Sequence, residues 1–382
     1  MAHINKITSS ITAVLTLSFI AVFSVVTVFG KKEKVSFEEN RTLAEIPELS
    51  AAELYDGSAS NQLSAYFADH FPFRSSLISA KTAIQTELSE RIVNGVYVGD
   101  DRLIEFEPSQ EMPPSANADI FSRYAEKYKG AVCFAAIPSS AGIYGDTLPV
   151  HSTAQSESRQ ISAFYDFLSS DIRKIDAYNI LKMLNENYIY YRNDSKWTSY
   201  GAYCVYKAVI KKLGFIPTSY DKYSIRHITD DFRGDLYNRV LSAKIKADII
   251  DKYDYPSGAS VCSCFKTDAY GRVFASSIYD KDYLKSSDMY SFYLGEPVPF
   301  LSLTTTVNSN KKLLVIKDRY ADCFIPFLIQ HYSEIAVVSP QDMKDSDISD
   351  YVDINDYDQT LFLFGVESLG NRTVLEKIIG RD

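Results

Sequence analysis

The segment "YYRNDSKWTSYGAY", residues 190 to 203, carries side chains of the types that a hydrolase uses as its acid and its base. Asp194 can serve as the acid, but Lys196 stands two residues later, where a histidine would complete the arrangement. Thr198 is a suitable N-cap for the helix that apolar residues at helical spacing predict from there to Leu213. The segment therefore predicts charged side chains presented at the start of a helix.

A second segment, "KKLLVIKDRYAD", places Asp318, Arg319 and Tyr320 between a predicted strand and a predicted helix. In α/β sheets the chemistry lies beyond the carboxyl ends of the strands. A nucleophile at such a turn would meet the backbone N–H groups of a helix start, which can stabilise an oxyanion. The same reasoning singles out Ser139 and Ser140, which follow the apolar run "GAVCFAAIP".

The elements that must position these segments alternate along the chain. Strands are predicted at 130–140, 172–176, 311–318 and 334–339 and in "TLFLFGVESL", and helices at 155–170, 198–213 and 320–332. Such alternation predicts an α/β fold with a doubly wound parallel sheet covered on both faces. Residues 216 to 310 are rich in Tyr and Asp and break the rhythm, so we expect an irregular β-rich insertion there.

The N-terminal region contains an uncharged run of 24 residues, from 7 to 30, which is long enough to cross a bilayer as a helix. The sequence "TVFGKK" at the end of this run is a poor cleavage site, which favours an uncleaved signal-anchor over a cleaved signal peptide and a secreted protein. The lysines that flank the run lie mainly on its C-terminal side, so the positive-inside rule alone favours the opposite orientation. One anchor ahead of a large folded region still most simply predicts an extracytoplasmic protein at the cell membrane.

These boundaries divide the chain into three parts. We expect the signal-anchor and its flank at 1–34, a linker and N-terminal helical region at 35–95, and the α/β domain at 96–382. The helical region is predicted to be interrupted at Pro72.

Composition excludes several classes of protein. A net charge of −9 argues against nucleic-acid binding, which needs a concentrated basic surface. Five cysteines are too few and too scattered for a disulfide framework, and no ligands at zinc spacing accompany the pair Cys262 and Cys264. We therefore predict no metal site and no cofactor.

Six short stretches occur in an order that resembles one bacterial family. They are "FEENRTLAEIPEL", "FADHFPFR", "NGVYVGDDRLIE", "YYRNDSKWTSYGAYCVYKAVIKKLGF", "FRGDLYN" and "LLVIKDRYADCFIPFLIQHYSEI". In this order they resemble the bacterial DHHW-motif proteins, which are similar to the alginate O-acetylation proteins of the SGNH-hydrolase-like class. The resemblance covers about residues 35 to 382. It implies an SGNH-like fold and chemistry on acetyl esters, often beside a membrane-bound O-acyltransferase.

The resemblance also implies a catalytic triad that this chain lacks. The family carries its Asp and His in a D-x-H-W-T segment, which Asp194, Trp197 and Thr198 match, and its nucleophilic Ser in a later D-S-Y segment, which Asp318 and Tyr320 match. Lys196 replaces the histidine and Arg319 replaces the serine. The motif positions that remain, namely Asp318, Tyr320, Trp197 and Gly234 of "FRGDLYN", are candidate binding residues.

The two replacements remove the chemistry of a triad. Arginine cannot be deprotonated in proteins and is no nucleophile. Deprotonating an ordinary lysine at pH 7 costs about 4.6 kcal/mol. We therefore predict an inactive member of a cell-envelope polysaccharide O-acetylation system that binds glycan or an acyltransferase partner. The alternatives are an active acetylesterase or O-acetyltransferase with a non-standard site, and a surface protein with no role in glycan chemistry.

Three local questions stay open at the level of sequence. Lys196 and Arg319 either form a cationic pocket for an acidic ligand or pair with Asp194 and Asp318 and seal the vacated site. Trp197 is either a core anchor or a platform for a sugar. A relocated active site would have to draw on Ser139 or Ser140 with His227 or His331 as base.

Overall fold

The computed structural model describes residues 2–30, 32–48, 50–106, 114–148 and 157–380 of the 382-residue chain. It divides into two compact units, which are described separately. The first consists of Met1–Glu90 and Asn238–Ala243, and the second of Arg91–Tyr237 and Lys244–Asp382. The predicted boundaries after residues 34 and 95 are not tested by this division and stay a prediction.

The first unit is mainly helical. Its elements are α1 (Ala2–Phe29), the paired short strands β1 (Val35–Ser36) and β2 (Arg41–Thr42), and the helices α2 (Ala51–Asp56), α3 (Ser58–Asp69) and α4 (Arg74–Glu87). The predicted interruption at Pro72 separates α3 from α4. Within the described residues, one helix is long and apolar enough to cross a membrane, with a mean hydropathy of 2.1 over Ser10–Thr27. By length and composition alone, a signal sequence near an N-terminus passes the same test. Lys31, part of the predicted flank, lies outside the described residues.

The second unit begins with a small three-stranded antiparallel sheet and continues with a large sheet and its helices. The small sheet contains β3 (Ile92–Val93), β4 (Val96–Val98) and β5 (Leu103–Glu105). The next elements are α5 (Pro114–Lys127), β6 (Ala131–Ile137), α6 (Ser140–Tyr144), α7 (Glu157–Phe167), β7 (Ile172–Ile175), α8 (Ala177–Lys182) and α9 (Ser199–Lys212). Thr198 caps α9 as predicted, because its hydroxyl accepts a hydrogen bond from the Gly201 N–H at 3.2 Å. Residues 155 and 156 of the helix predicted at 155–170 lie outside the described residues.

The remaining elements follow the same chain order. They are β8 (Ser224–Phe232), α10 (Asp235–Val240), β9 (Asp248–Asp254), β10 (Val261–Thr267), β11 (Val273–Ala275), β12 (Phe300–Thr305), β13 (Lys312–Lys317), α11 (Ile325–Leu328), β14 (Glu334–Val338), β15 (Gln359–Gly365) and α12 (Arg372–Leu375). The long helix predicted at 320–332 is wrong. Pro326 has no N–H and is tolerated only in a first helical turn, so the four-residue helix α11 begins beside it.

The large sheet has eight strands in the order β11-β10-β12-β14-β13-β15-β6-β7. The five strands from β14 to β7 are parallel, whereas β12, β10 and β11 are antiparallel additions. The α/β class is confirmed, and the predicted parallel arrangement holds for these five strands, but the whole sheet is mixed because three strands of the β-rich insertion extend it. The two remaining insertion strands, β8 and β9, form a separate hairpin.

Two apolar clusters cover the two faces of this sheet. In β13, Leu313 and Val315 belong to one cluster and Leu314 and Ile316 to the other, as the two-residue period of a strand requires. Helix α9 packs in the first cluster and α5 and α7 in the second. Both faces of the sheet are therefore covered, and Asp318 and Arg319 follow the carboxyl end of its central strand β13.

Candidate functional site

The turn that follows β13 is fixed by Asp318. Its carboxylate accepts hydrogen bonds from the Tyr320 N–H at 2.9 Å, the Gly365 N–H at 2.7 Å and the Ser368 hydroxyl at 2.6 Å. Because Gly365 ends β15, Asp318 joins the carboxyl ends of two neighbouring strands. Burial raises the pKa of Asp318, and these donors oppose that rise. The hydrogen bonds of Asp318 therefore stabilise the turn after β13.

The segment that carries Asp194 forms a tight loop. Tyr190 and Trp197 form an isolated antiparallel bridge across it, and the Tyr191 N–H donates to the Lys196 carbonyl at 3.2 Å. Asp248, which begins β9, is completely buried and accepts the Asn193 N–H at 2.7 Å. The insertion therefore supplies part of the support for this loop.

Asp194 and Lys196 form a buried ion pair. The carboxylate accepts hydrogen bonds from the backbone N–H of Lys196 at 2.9 Å and from its Nζ at 3.0 Å. The exposed fractions of the two residues are 2% and 9%. The pairing of Lys196 with Asp194 that the sealed-site alternative requires is therefore present.

Gly234 lies directly against this pair. A Cβ at Gly234 would lie 2.2 Å from Oδ2 and 2.3 Å from the Cβ of Asp194, so any side chain would displace the carboxylate. The next N–H in the chain, that of Asp235, donates to Asp194 Oδ2 at 3.1 Å. The segment "FRGDLYN" thus positions Asp194 through its backbone.

Lys196 has a second carboxylate partner. Its Nζ lies 3.3 Å from Asp235 Oδ2 and 3.3 Å from the Ser195 hydroxyl. Burial favours the neutral amine, but Asp194 and Asp235 outweigh it and raise the pKa of Lys196 above its ordinary value. Lys196 is consequently an ammonium group at neutral pH.

Arg319 is paired with the insertion. Its guanidinium donates to both oxygens of Asp288, at 2.9 and 3.3 Å, and to the Ser291 hydroxyl at 2.9 Å. Its Nε lies 3.5 Å from Asp322 Oδ2, and Asp322 also pairs with Lys317 at 2.6 Å. The sealed-site alternative gave Arg319 the partner Asp318, but Arg319 pairs with Asp288 instead. The oxygens of Asp318 accept backbone N–H groups and the Ser368 hydroxyl.

One tyrosine brings the two replaced positions together. Lys196 Nζ lies 5.2 Å and Arg319 Cζ 5.5 Å from the centroid of the Tyr290 ring, distances typical of cation–π contacts. Tyr290 is 1% exposed, and its hydroxyl donates to the Arg319 carbonyl at 3.3 Å. Lys196 and Arg319 therefore both lie near one ring, that of Tyr290.

Trp197 and Tyr320 connect the two segments behind this site. The indole N–H of Trp197 donates to the Tyr320 carbonyl at 2.6 Å, and the Tyr320 hydroxyl donates to the Ser195 carbonyl at 3.0 Å. Trp197 is completely buried, and its ring is nearly parallel to that of Phe324 with centroids 6.3 Å apart. These contacts favour the core-anchor alternative for Trp197.

Two of the partly exposed side chains at this site are acidic. The side chains of Asp235, Asp288 and Arg319 are 48%, 30% and 25% exposed, respectively. Sequence reasoning missed both aspartates and Tyr290. Asp235 could have been found beside Gly234, but no spacing signal connects residues 288 and 290 with Arg319.

The residues considered for a relocated site lie in other environments. The Ser139 hydroxyl donates to buried Glu157 at 2.6 Å, and burial raises the pKa of Glu157 to about 7. His331 contacts the Tyr206 hydroxyl at 2.7 Å, and burial lowers its pKa to about 4. His227 is 71% exposed and pairs with Asp251. Within the described ranges, no group of three or more His, Cys, Asp or Glu side chains is arranged to hold a metal ion.

One family model matches most of the chain. The family model described as "DHHW protein" matches residues 95–338. No protein in the search of curated proteins matches the chain.

Several solved structures are similar to this chain. A DHHW family protein from Eubacterium siraeum matches at 22% identity with a TM-score of 0.62, over 75% of this chain and 95% of its own. Bacillus cereus PatB1 with a sulfonyl adduct matches at 17% identity with a TM-score of 0.62, over 74% and 97% of the two chains. The O-acetyltransferase domain of Pseudomonas putida AlgJ matches at 15% identity with a TM-score of only 0.45, over 72% and 92%. The first two similarities establish a shared fold.

Proposed function

This chain belongs to the DHHW family, and we propose that it is a membrane-anchored, extracytoplasmic, SGNH-like protein that serves polysaccharide O-acetylation without triad catalysis. In this function it binds glycan or a membrane-bound O-acyltransferase. The acetylation context rests on the family resemblance, and the extracytoplasmic location rests on the apolar helix α1. One observation carries the loss of catalysis: Lys196 and Arg319 are each held by carboxylates at the site.

The physical argument concerns proton transfer and nucleophilicity. A lysine at the base position must first lose a proton, which costs about 4.6 kcal/mol at pH 7 for an ordinary lysine. Asp194 and Asp235 raise the pKa of Lys196, so the cost is higher here. Arg319 carries no nucleophilic oxygen or sulfur, and two carboxylates hold its charged form.

One observation favours a second candidate function, an active acetylesterase with a non-standard site. The Ser195 hydroxyl donates to Asp235 Oδ2 at 2.6 Å and lies 3.3 Å from Lys196 Nζ. Serine–lysine pairs act as nucleophile and base in some hydrolases. That chemistry needs a neutral lysine. Partial desolvation raises the pKa of Asp235, but Lys196 and Ser195 lower it to about 2, which makes this carboxylate a weak base.

Hydrolysis of a chromogenic acetyl ester by the full chain in detergent separates the two candidates. We expect the parent, Ser195→Ala and Lys196→Ala to hydrolyse the ester no faster than buffer. The Lys196→His/Arg319→Ser double variant should gain turnover, because it restores the residue types of the family triad. Parent activity that Ser195→Ala abolishes, and that the control Ser139→Ala retains, would establish the esterase instead.

The acetylation role has its own test in the source organism. Deleting the gene should lower the acetate that mild base releases from the cell envelope. Both the parent and Ser195→Ala should restore it on complementation, because the proposed role is binding. Unchanged envelope acetate after deletion would refute a role in O-acetylation.

A further inference from the structure

Helix α4 exposes an apolar stripe. Phe73, Leu77, Ala80, Ile84 and Leu88 recur at intervals of three or four residues, which places them within an arc of about 80° at 100° per residue. Phe73, Leu77, Ile84 and Leu88 are 76%, 49%, 60% and 72% exposed. A helix of a globular protein normally turns such a stripe toward the core.

The opposite face of α4 is the buried one. Thr82 lies about 160° from the centre of the stripe at the same angular increment. It is 1% exposed, and its hydroxyl donates to the Val240 carbonyl at 2.7 Å within the first unit. The helix is thus fixed by a polar contact on its inner side and presents its apolar side outward.

The backbone at the start of the stripe contributes to this exposure. Phe73 adopts φ +59°, in the left-handed region that is uncommon for a bulky residue. Its carbonyl accepts the Leu77 N–H at 2.9 Å, so this conformation is part of the first turn of α4. The backbone conformation that exposes the Phe73 ring is therefore part of the first turn of α4.

The stripe begins beside the apolar helix α1. Phe71, two residues before Phe73, stacks on Phe23 with ring centroids 5.3 Å apart and an interplanar angle of 21°. Phe23 lies within Ser10–Thr27, the segment long and apolar enough to cross a membrane. Val26 and Gly30 of the same region line one cleft together with His70 and Phe71. The "HFPF" turn thus contacts α1 inside its apolar segment.

We propose that the stripe of α4 rests on the lipid bilayer, at the boundary between headgroups and acyl chains, beside α1. This inference rests on the proposed membrane anchoring. Two observations select lipid as the occupant. The stripe begins two residues after Phe71, which contacts the apolar segment, and it extends along one side of the helix for about 22 Å, at 1.5 Å per residue. Exposed Lys81 and exposed Glu87 border the stripe on its two sides, where charged groups can meet the headgroups.

The test uses the full chain in vesicles of phosphatidylcholine and phosphatidylglycerol, in a Cys262→Ser background, since the other four cysteines are buried. An NBD label is attached at Ile84→Cys on the stripe, at the exposed neighbour Ala83→Cys about 100° away, or at Val14→Cys in α1. Spin-labelled lipids then quench any label that contacts the bilayer. We expect quenching and a blue shift at positions 84 and 14, and much less of both at position 83.

Other outcomes separate the two proposals. Quenching at position 14 with none at position 84 would refute the contact of α4 with the bilayer but would still support membrane anchoring by α1. Absence of quenching at position 14 would refute the anchor itself. A blue shift at position 84 without lipid quenching would mean that protein covers the stripe, and would overturn lipid as its occupant.

Discussion

Replacing Lys196 with methionine should destabilise the second unit strongly, because it leaves the Asp194 carboxylate buried without its partner. The two residues are 2% and 9% exposed, and the amine lies 3.0 Å from the carboxylate. Removing one partner of a buried ion pair costs about 3 to 5 kcal/mol. The Asp194→Asn/Lys196→Met double variant removes both charges. Its free energy of unfolding should fall by only about 1 to 3 kcal/mol. Asp194 accepts two backbone N–H groups, and the asparagine amide, with one oxygen, leaves one of them without an acceptor.

The destabilisation caused by Lys196→Met should also increase with pH. Burial and then Asp235 raise the pKa of Asp194 to about 6 in the parent, while Lys196 opposes the rise. Without Lys196 the pKa rises further. A raised folded-state pKa disfavours the folded protein as pH rises through it, so the penalty should be larger at pH 8 than at pH 5. Each further unit of pKa adds about 1.4 kcal/mol to that difference.

Urea unfolding of the full chain in detergent measures both effects. Trp197 is the only tryptophan in the sequence, is completely buried, and adjoins Lys196, so its fluorescence reports on this site. The free energies of unfolding of Lys196→Met and of Asp194→Asn/Lys196→Met are compared at pH 5 and at pH 8. If the two are equally destabilised at both pH values, Lys196 does not compensate Asp194, and the sealed-site reasoning fails.

Three further changes follow from the same contacts, each measured by the same urea titration. Gly234→Ala should cost about 1 to 3 kcal/mol through overpacking, whereas the control Gly370→Ala, where a Cβ meets no atom within 4 Å, should be nearly neutral. Burial raises the Glu157 pKa to about 7, so the parent should lose stability as pH rises from 5 to 8, and Glu157→Gln should reduce that loss. An unchanged dependence of the unfolding free energy on pH would contradict this. Arg319→Lys should lower the free energy of unfolding by about 1 kcal/mol, since an ammonium cannot reproduce the paired hydrogen bonds to Asp288. Equal stability would mean that the pair does not stabilise the fold.

Local sequence relations predicted the parts of the site that depend on near neighbours. Lys196 pairs with Asp194 two residues away, and Thr198 caps α9, because both contacts lie within one short loop. Arg319 did not pair with its neighbour Asp318. Backbone N–H groups made available by the turn and by Gly365 compete for that carboxylate, and such competition is not visible in a sequence.

The insertion shows a second reason why sequence reasoning stopped short. Its strands β10 to β12 join the main sheet, although alternation of strands and helices ends at residue 216. Asp288 and Tyr290 reach the site from about 30 residues before Arg319, in an irregular stretch without periodicity. Their contribution is set by long-range folding, for which neither composition nor spacing provides a signal.

The balance of charge at the site decides between the two roles considered for its cations. Lys196 and Arg319 add two positive charges where the family carries His and Ser, and Asp235 and Asp288 face them at 3.3 and 2.9 Å. An acidic ligand would have to displace one of these carboxylates and would meet the other, so it would gain little net attraction. Binding through these cations is therefore unfavourable for an acidic glycan. If the proposed binding role holds, these charges fit a neutral glycan or a protein partner at the exposed side chains of Asp235, Asp288 and Arg319 better than an acidic glycan.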